Sequence, residues 1–166
     1  MECVVVENKM IIGDPYQIAI HIEQIDVLCS PSGMFNFIIN DTLIPGTGVT
    51  MDLYMVISEL KESLEDGMCR NLRDVGNIPL SDLDFSEGEP ENFISLSSEL
   101  SDYGFIFWLG FDGDEDRLIY TTNYEKTFQE ERYPRGTIEK LIRNLPLAED
   151  LVMKKTGAFI NTELKS

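Results

Sequence analysis

The hydrophobic period of this chain changes early on, from two residues to that of a helix, and that change limits what the chain can fold into. From Gln17 to Val27 (QIAIHIEQIDV), Ile18, Ile20 and Ile22 alternate with other residues, and Ile25 and Val27 continue the trend less strictly. Alternating β-branched residues put one face against a core and leave the other outward, which predicts a half-buried strand. Gly13-Asp14-Pro15 is turn chemistry that separates this strand from a short apolar run, Met10-Ile11-Ile12. Ser30-Pro31-Ser32-Gly33 reads as a second turn leading into Met34–Ile39, so the two strands form an antiparallel hairpin, closed by Asn40-Asp41 and Pro45-Gly46. Between Met51 and Asp66 the period becomes helical. Leu53, Val56, Ile57, Leu60 and Leu64 share one face, and Glu59, Lys61, Glu62 and Glu65 the other. Thr50 or Asp52 serves as N-cap, and Gly67 follows as a C-terminal stop.

Residues 70–92 mix Gly, Pro, Asp and Ser without a period and read as loop, with room for a short strand or a turn of helix. Gly104–Phe111 (GFIFWLGF) suits a central strand buried on both faces. An Asp112-Gly113 turn joins it to a partner strand over Leu118–Thr122, and a further strand is expected between Lys126 and Glu131. Pro134 opens a helix with Ile138, Leu141 and Ile142 on one face, ending near Asn144, and Pro146 opens a short last helix carrying Leu147, Leu151 and Val152. The sum is an α+β fold, an antiparallel β-sheet with two to three helices packed against it, in one domain over residues 1–166.

At 43% hydrophobic residues, a chain of 166 can bury a sizeable core. No apolar run reaches the ~18 residues that span a bilayer, and the N-terminus has no signal-peptide pattern, so a cytoplasmic location is expected. Cys3, Cys29 and Cys69 are odd in number and far apart, as free thiols in a reducing compartment would be.

Charge is the strongest compositional signal: thirty acids against thirteen bases, a formal net charge of −17. Residues 1–73 carry eleven acids and four bases, residues 74–116 twelve acids and neither Lys nor Arg, and residues 117–166 seven acids and nine bases. A field of this sign repels nucleic acid and anionic lipid and steers cationic proteins toward the surface.

The catalytic inventory is thin. The one histidine, His21, lies out of phase with Ile20 and Ile22 and points to the polar face of its strand. No G-x-S-x-G elbow is present. Asp112, Asp114 and Asp116 begin like a calcium loop, but Arg117 and Asn123 stand where that loop needs glycine and a bidentate carboxylate. Gly46-Thr47-Gly48 lacks the lysine of a phosphate loop. Trp108, inside the most apolar strand, is expected in the core. No catalytic residue, metal or cofactor is assigned. What stands out is a set of acids without obvious structural employment: Asp82, Asp84, Glu87, Glu89 and Glu91 in the irregular middle, and Asp112, Asp114, Glu115 and Asp116 in a tight loop. A cationic partner would relieve their repulsion, and Phe85, Phe93 and Tyr103 nearby offer aromatic anchors. Those acids, with Phe85, are the expected partner-binding residues.

The stretch Ile11-Ile12-Gly13-Asp14-Pro15-Tyr16-Gln17-Ile18-Ala19-Ile20, followed by Gly33-Met34-Phe35-Asn36-Phe37-Ile38-Ile39-Asn40 and Ile44-Pro45-Gly46, resembles the immunity 42 family of bacterial polymorphic toxin and contact-dependent inhibition loci. The resemblance covers the N-terminal strands, hairpin, short loop and helix, and the rest matches more loosely. Residues 1–9 precede it as an N-terminal extension. It implies a protein that neutralises a cognate toxin by stoichiometric binding, and toxins that attack nucleic acid are commonly basic. The matched residues would then be scaffold, with Gly13, Asp14 and Pro15 shaping a turn and Phe35 and Phe37 filling the core. The contact surface would lie in the acidic part. The competing expectations are an acidic adaptor or regulatory module for another cytoplasmic protein, and an enzyme working with carboxylates alone.

Overall fold

The computed structural model describes residues 9–26, 31–46, 48–96, 98–148, 151–156 and 159–164. The chain divides into two compact units, Met1–Ser58 with Leu145–Ser166, and Glu59–Asn144. The fold is α+β, with antiparallel sheets and two α-helices among the described residues.

In the first unit the alternating segment forms β2 (Ile18–Asp26), flanked by β1 (Lys9–Asp14) and β3 (Ser32–Ile39). The register pairs Ile18 with Ile39, Ile20 with Phe37 and Ile22 with Phe35, so all six side chains share one face, and all are buried. Phe35 and Phe37 meet edge to face, with centroids 5.9 Å apart. Asp14 closes the first turn, its Oδ1 accepting the Tyr16 N–H at 2.9 Å and its carbonyl the Gln17 N–H. Asn40 and Asp41 both take left-handed φ values, 50° and 59°, the geometry of a tight hairpin turn. They lead into β4 (Thr42–Ile44), beyond the two expected strands.

One expected turn and one expected helix stop resolve differently. Ser32 and Gly33 belong to β3, and β5 (Met51–Asp52) pairs with them. A Cβ on Gly33 would stand 2.1 Å from the Glu23 carbonyl oxygen, so this glycine permits close strand approach. Ser30 lies outside the described residues. Helix α1 (Leu53–Met68) follows β5, and Asp52 supplies its cap by accepting the Met55 N–H at 3.1 Å. Leu53, Val56, Ile57, Leu60 and Leu64 are all buried, as their spacing requires. The boundary between the units falls within α1, after Ser58. Gly67 is part of α1 rather than its stop.

The second unit is a meander of β6 (Ile94–Leu96), β7 (Ile106–Asp112), β8 (Glu115–Thr121) and β9 (Gln129–Pro134), each antiparallel to the next. The central pair is buried, as its aromatic and aliphatic composition predicts. Helix α2 (Thr137–Arg143) buries Ile138, Leu141 and Ile142. The helix expected after Pro146 does not reach Leu151 and Val152: Ala148 is in 3-10 conformation, and Leu151–Thr156 (β10) and Phe159–Leu164 (β11), which belong to the first unit, pair as an antiparallel hairpin. Leu147 and Leu151 have helical spacing, but the run they introduce holds Val152, Thr156, Phe159, Ile160 and Thr162, residues that favour strands. No helix among the described residues is long and apolar enough to cross a membrane.

A Cβ on Gly67 would stand 2.4 Å from the Ile94 side chain. Gly67→Ala is therefore expected to lower stability by about 1–3 kcal/mol in urea unfolding, although alanine is the better helix former by ~1 kcal/mol. In the double variant with Ile94→Ala the two costs should sum to less than their separate values, because the clash is gone.

Candidate functional site

Alternation along the second sheet puts Ile106, Trp108 and Gly110 of β7 on one face, opposite Thr121, Ile119 and Arg117 of β8. The irregular segment 74–92 lies against this face. Val75, Phe93, Trp108 and Ile119 form a buried cluster, with Leu80, Leu83, Phe85, Ile106 and Phe128 packed on it half-buried. Phe85 stacks on Phe128 with centroids 4.2 Å apart and meets Trp108 at 4.9 Å. Gly110 is glycine for want of room: a Cβ there would stand 2.5 Å from the Phe93 ring.

Arg117 is fully buried under this segment. Its Nε pairs with Glu130, and its Nη1 donates to the Gly76 carbonyl at 2.9 Å. Its Nη2 has no hydrogen-bond partner among the described residues. Three further arginines from outside the base-free stretch fold back on it. Arg132 reaches Asp112 at 2.8 Å, Glu115 at 2.9 Å and the Asn77 amide oxygen at 3.0 Å. Arg135 holds Asp74 at 3.0 Å and donates to the Gly113 carbonyl, with its guanidinium 4.5 Å above the Phe111 ring. Arg70 binds Glu89 at 3.2 Å and the Phe93 carbonyl at 2.9 Å.

Several acids expected to lack structural employment therefore have it. Glu89 is held by Arg70 and also accepts the Ser95 N–H; Asp112 and Glu115 share Arg132. Asp116 is fully buried, its two oxygens accepting the N–H groups of Gly136 and Ile138 where α2 begins, so it presents nothing to a partner in this conformation. Burial pushes its carboxyl above the usual range, against the pull of those two N–H groups. Asp84 ties a local turn by accepting from both the backbone and hydroxyl of Ser86 at 2.9 and 2.6 Å, and these bonds lower its pKa. Asp82 accepts only from Ser81, at 3.5 Å, among the contacts of the described residues. Glu87, Glu91 and Asp114 are exposed, and their side chains form no hydrogen bond or ion pair among the described residues. Of the aromatic anchors, Phe93 is fully buried, Phe85 half-buried and Tyr103 exposed. The four arginines lie outside residues 74–116; the excess of bases from Arg117 onward is the sequence signal for Arg117, Arg132 and Arg135, and Arg70 has none.

The histidine is a sheet residue as expected, paired in register with Asn36 and mostly covered. Its Nδ1 lies 3.3 Å from the Asn36 amide nitrogen and its Nε2 3.4 Å from Glu23. Cys69 is a free, exposed thiol; Cys3 and Cys29 lie outside the described residues.

Arg117→Ala would remove the partner of the Gly76 carbonyl and leave Glu130 only the more distant Arg132, 3.9 Å away, and is expected to cost about 3 kcal/mol in denaturant unfolding. Arg117→Met combined with Glu130→Gln should recover part of that loss. The Asp74 carboxyl is held below its usual value of 3.8 by the Gly113 N–H and then by Arg135. Its contribution is thus present above that value and lost as pH falls through the lower folded one, whereas the raised Asp116 acts in the opposite sense. Asp74→Asn should accordingly flatten the acid side of the stability profile below about pH 4, read from unfolding midpoints.

Comparison with curated proteins finds no significant match. Among solved structures, the crystal structure of CdiI from Burkholderia dolosa AUO158 shares the fold, with a TM-score of 0.61 at 18% identity, covering 81% of this chain and 97% of that one. The family model of immunity protein 42 matches residues 10–147, reaching into both units. The chain belongs to the immunity protein 42 family, and it is an immunity protein, a neutraliser of a toxin.

Proposed function

We propose that this immunity protein acts in the cytoplasm as one functional domain, binds a basic toxin domain one to one, and blocks it without chemistry of its own. The toxin on this reading is a nuclease, since enzymes that grip nucleic acid carry the cationic surface that the acids here would complement. The observation that carries the proposal is the residue of acidity left after the internal arginines are assigned. Asp82, Asp84, Glu87, Glu91 and Asp114 are exposed and have no cationic partner among the described residues. Glu89, Asp112 and Glu115 add to the field while already paired, and Asp116 takes no part in the contact.

Steering by such a field lifts association above the unsteered rate of about 10⁵–10⁶ M⁻¹s⁻¹ and is screened by salt. Stopped-flow mixing with the toxin domain encoded by the neighbouring gene is expected to show a rate that falls steeply as ionic strength rises. Replacing Asp82, Asp84 and Glu87 together by Lys should slow association on the order of tenfold or more. A rate indifferent to salt, or a toxin domain that is neutral or acidic, would remove the electrostatic part. A chain that leaves cells unprotected against that toxin, yet binds another protein tightly, would instead fit an adaptor.

A further inference from the structure

Beside residues 80–86 the second unit carries an open groove of about 880 Å³. The stacked rings of Phe85 and Phe128 and the side chains of Leu80 and Leu83 line it, and all four are half-buried. Ser81, Ser86 and Glu125, all exposed, complete the lining. Leu83 also lines a second hollow of about 260 Å³, which includes Asp82, Asp84 and Glu91. No Lys or Arg lines either hollow, and of the five carboxylates that do, Asp74 alone has an arginine partner among the described residues.

We propose that these two hollows form one docking site, in which a bulky apolar side chain of the toxin seats on Phe85 and Phe128 while Lys or Arg beside it in sequence meets Asp82, Asp84 and Glu91. The proposal rests on the immunity reading and names where and how the toxin is gripped. An aromatic floor rewards an apolar anchor by completing the burial of rings that water now reaches. The unpaired carboxylates select a cationic flank and repel an acidic one. A second copy of this chain is disfavoured as occupant, since each copy carries a net charge of −17. The floor is also prepared for binding. Phe85 is braced by Trp108, and Arg117 ties Gly76, upstream in the same segment, to the sheet, so little ordering remains to be done on association.

Trp108 is the only tryptophan of the chain and touches both floor rings, with centroids 4.9 Å from Phe85 and 5.8 Å from Phe128. Labelled with 5-fluorotryptophan, the full chain gives a single ¹⁹F resonance that reports on the groove. Titration with the peptide acetyl-Lys-Lys-Phe-Lys-Lys-amide is expected to move it saturably. Serine in place of the phenylalanine should weaken binding by about tenfold or more, and glutamates in place of the lysines should abolish it. Ser81→Arg, at an exposed rim position, should weaken both the peptide titration and protection of cells against the toxin, with thermal unfolding unchanged. The proposal is overturned if the serine peptide binds as well as the phenylalanine one, since that would be charge attraction alone. It is overturned too if binding leaves the ¹⁹F resonance unmoved, or if Ser81→Arg protects cells as well as the wild type. A wild-type dimer split by Ser81→Arg would give the groove to a second copy. Wild-type chain that fails to protect cells, with the peptide pattern intact, would sink the immunity reading and leave the groove's chemistry standing.

Discussion

In the second unit a guanidinium with no solvent exposure lies between a sheet and the irregular segment that covers it. Arg117 stands opposite Gly110 in the register of β7 and β8, and the Phe93 ring occupies the space above that glycine. Taking this cation out of water costs several kcal/mol unless its donors are met. Glu130 and the Gly76 carbonyl meet two of them. The second contact matters for architecture, because Gly76 belongs to the largely irregular segment, broken only by a 3-10 turn at Leu80–Asp82, that runs toward the acids. A stretch that would otherwise cost conformational entropy to order is fixed to the sheet near its start, and Leu80, Leu83 and Phe85 then pack on Trp108 and Phe128.

The acidity of the chain sorts itself into two populations once that frame is set. Asp74, Glu89, Asp112 and Glu115 are held by Arg135, Arg70 and Arg132, and they help to attach the segment and the β7–β8 turn. Most of these pairs are partly exposed, so each adds little alone, and their effect lies in positioning. Among the described residues, Glu87, Glu91 and Asp114 remain outside this network, and Asp82 and Asp84 are held only by neighbouring serines. For an immunity protein this division is economical: one set of carboxylates builds the surface, and another is left to be seen from solution.

The D-x-D-x-D run illustrates how strand geometry assigns different work to identical residues. Asp112 and Glu115 face each other across a two-residue turn and share Arg132; Asp114 sits in the turn with its carboxylate free among the described residues. Asp116, one pleat further, points into the unit and caps the start of α2. A charge count treats the three aspartates alike, whereas the register separates them into an ion pair, an exposed charge and a buried cap.

Much of the fold was legible because local period reports which side of an element is buried. The alternation of Ile18, Ile20 and Ile22, the helical spacing from Leu53 to Leu64 and the aromatic run before Asp112 each produced the element they predict. The family, too, was legible, in the turn and hairpin residues of the N-terminal strands. Local pattern failed where a residue's role depends on a distant neighbour. Gly33 and Gly67 looked like turn and stop, but are glycine because Glu23 and Ile94 come too close for a side chain. The same holds for the acids of residues 74–116: sequence determined that they are many and unaccompanied, since charge is additive and needs no coordinates. Only the tertiary structure decided which are neutralised, because a salt bridge depends on a few ångströms between residues far apart in the chain, and the arginines that make those pairs all come from outside the stretch.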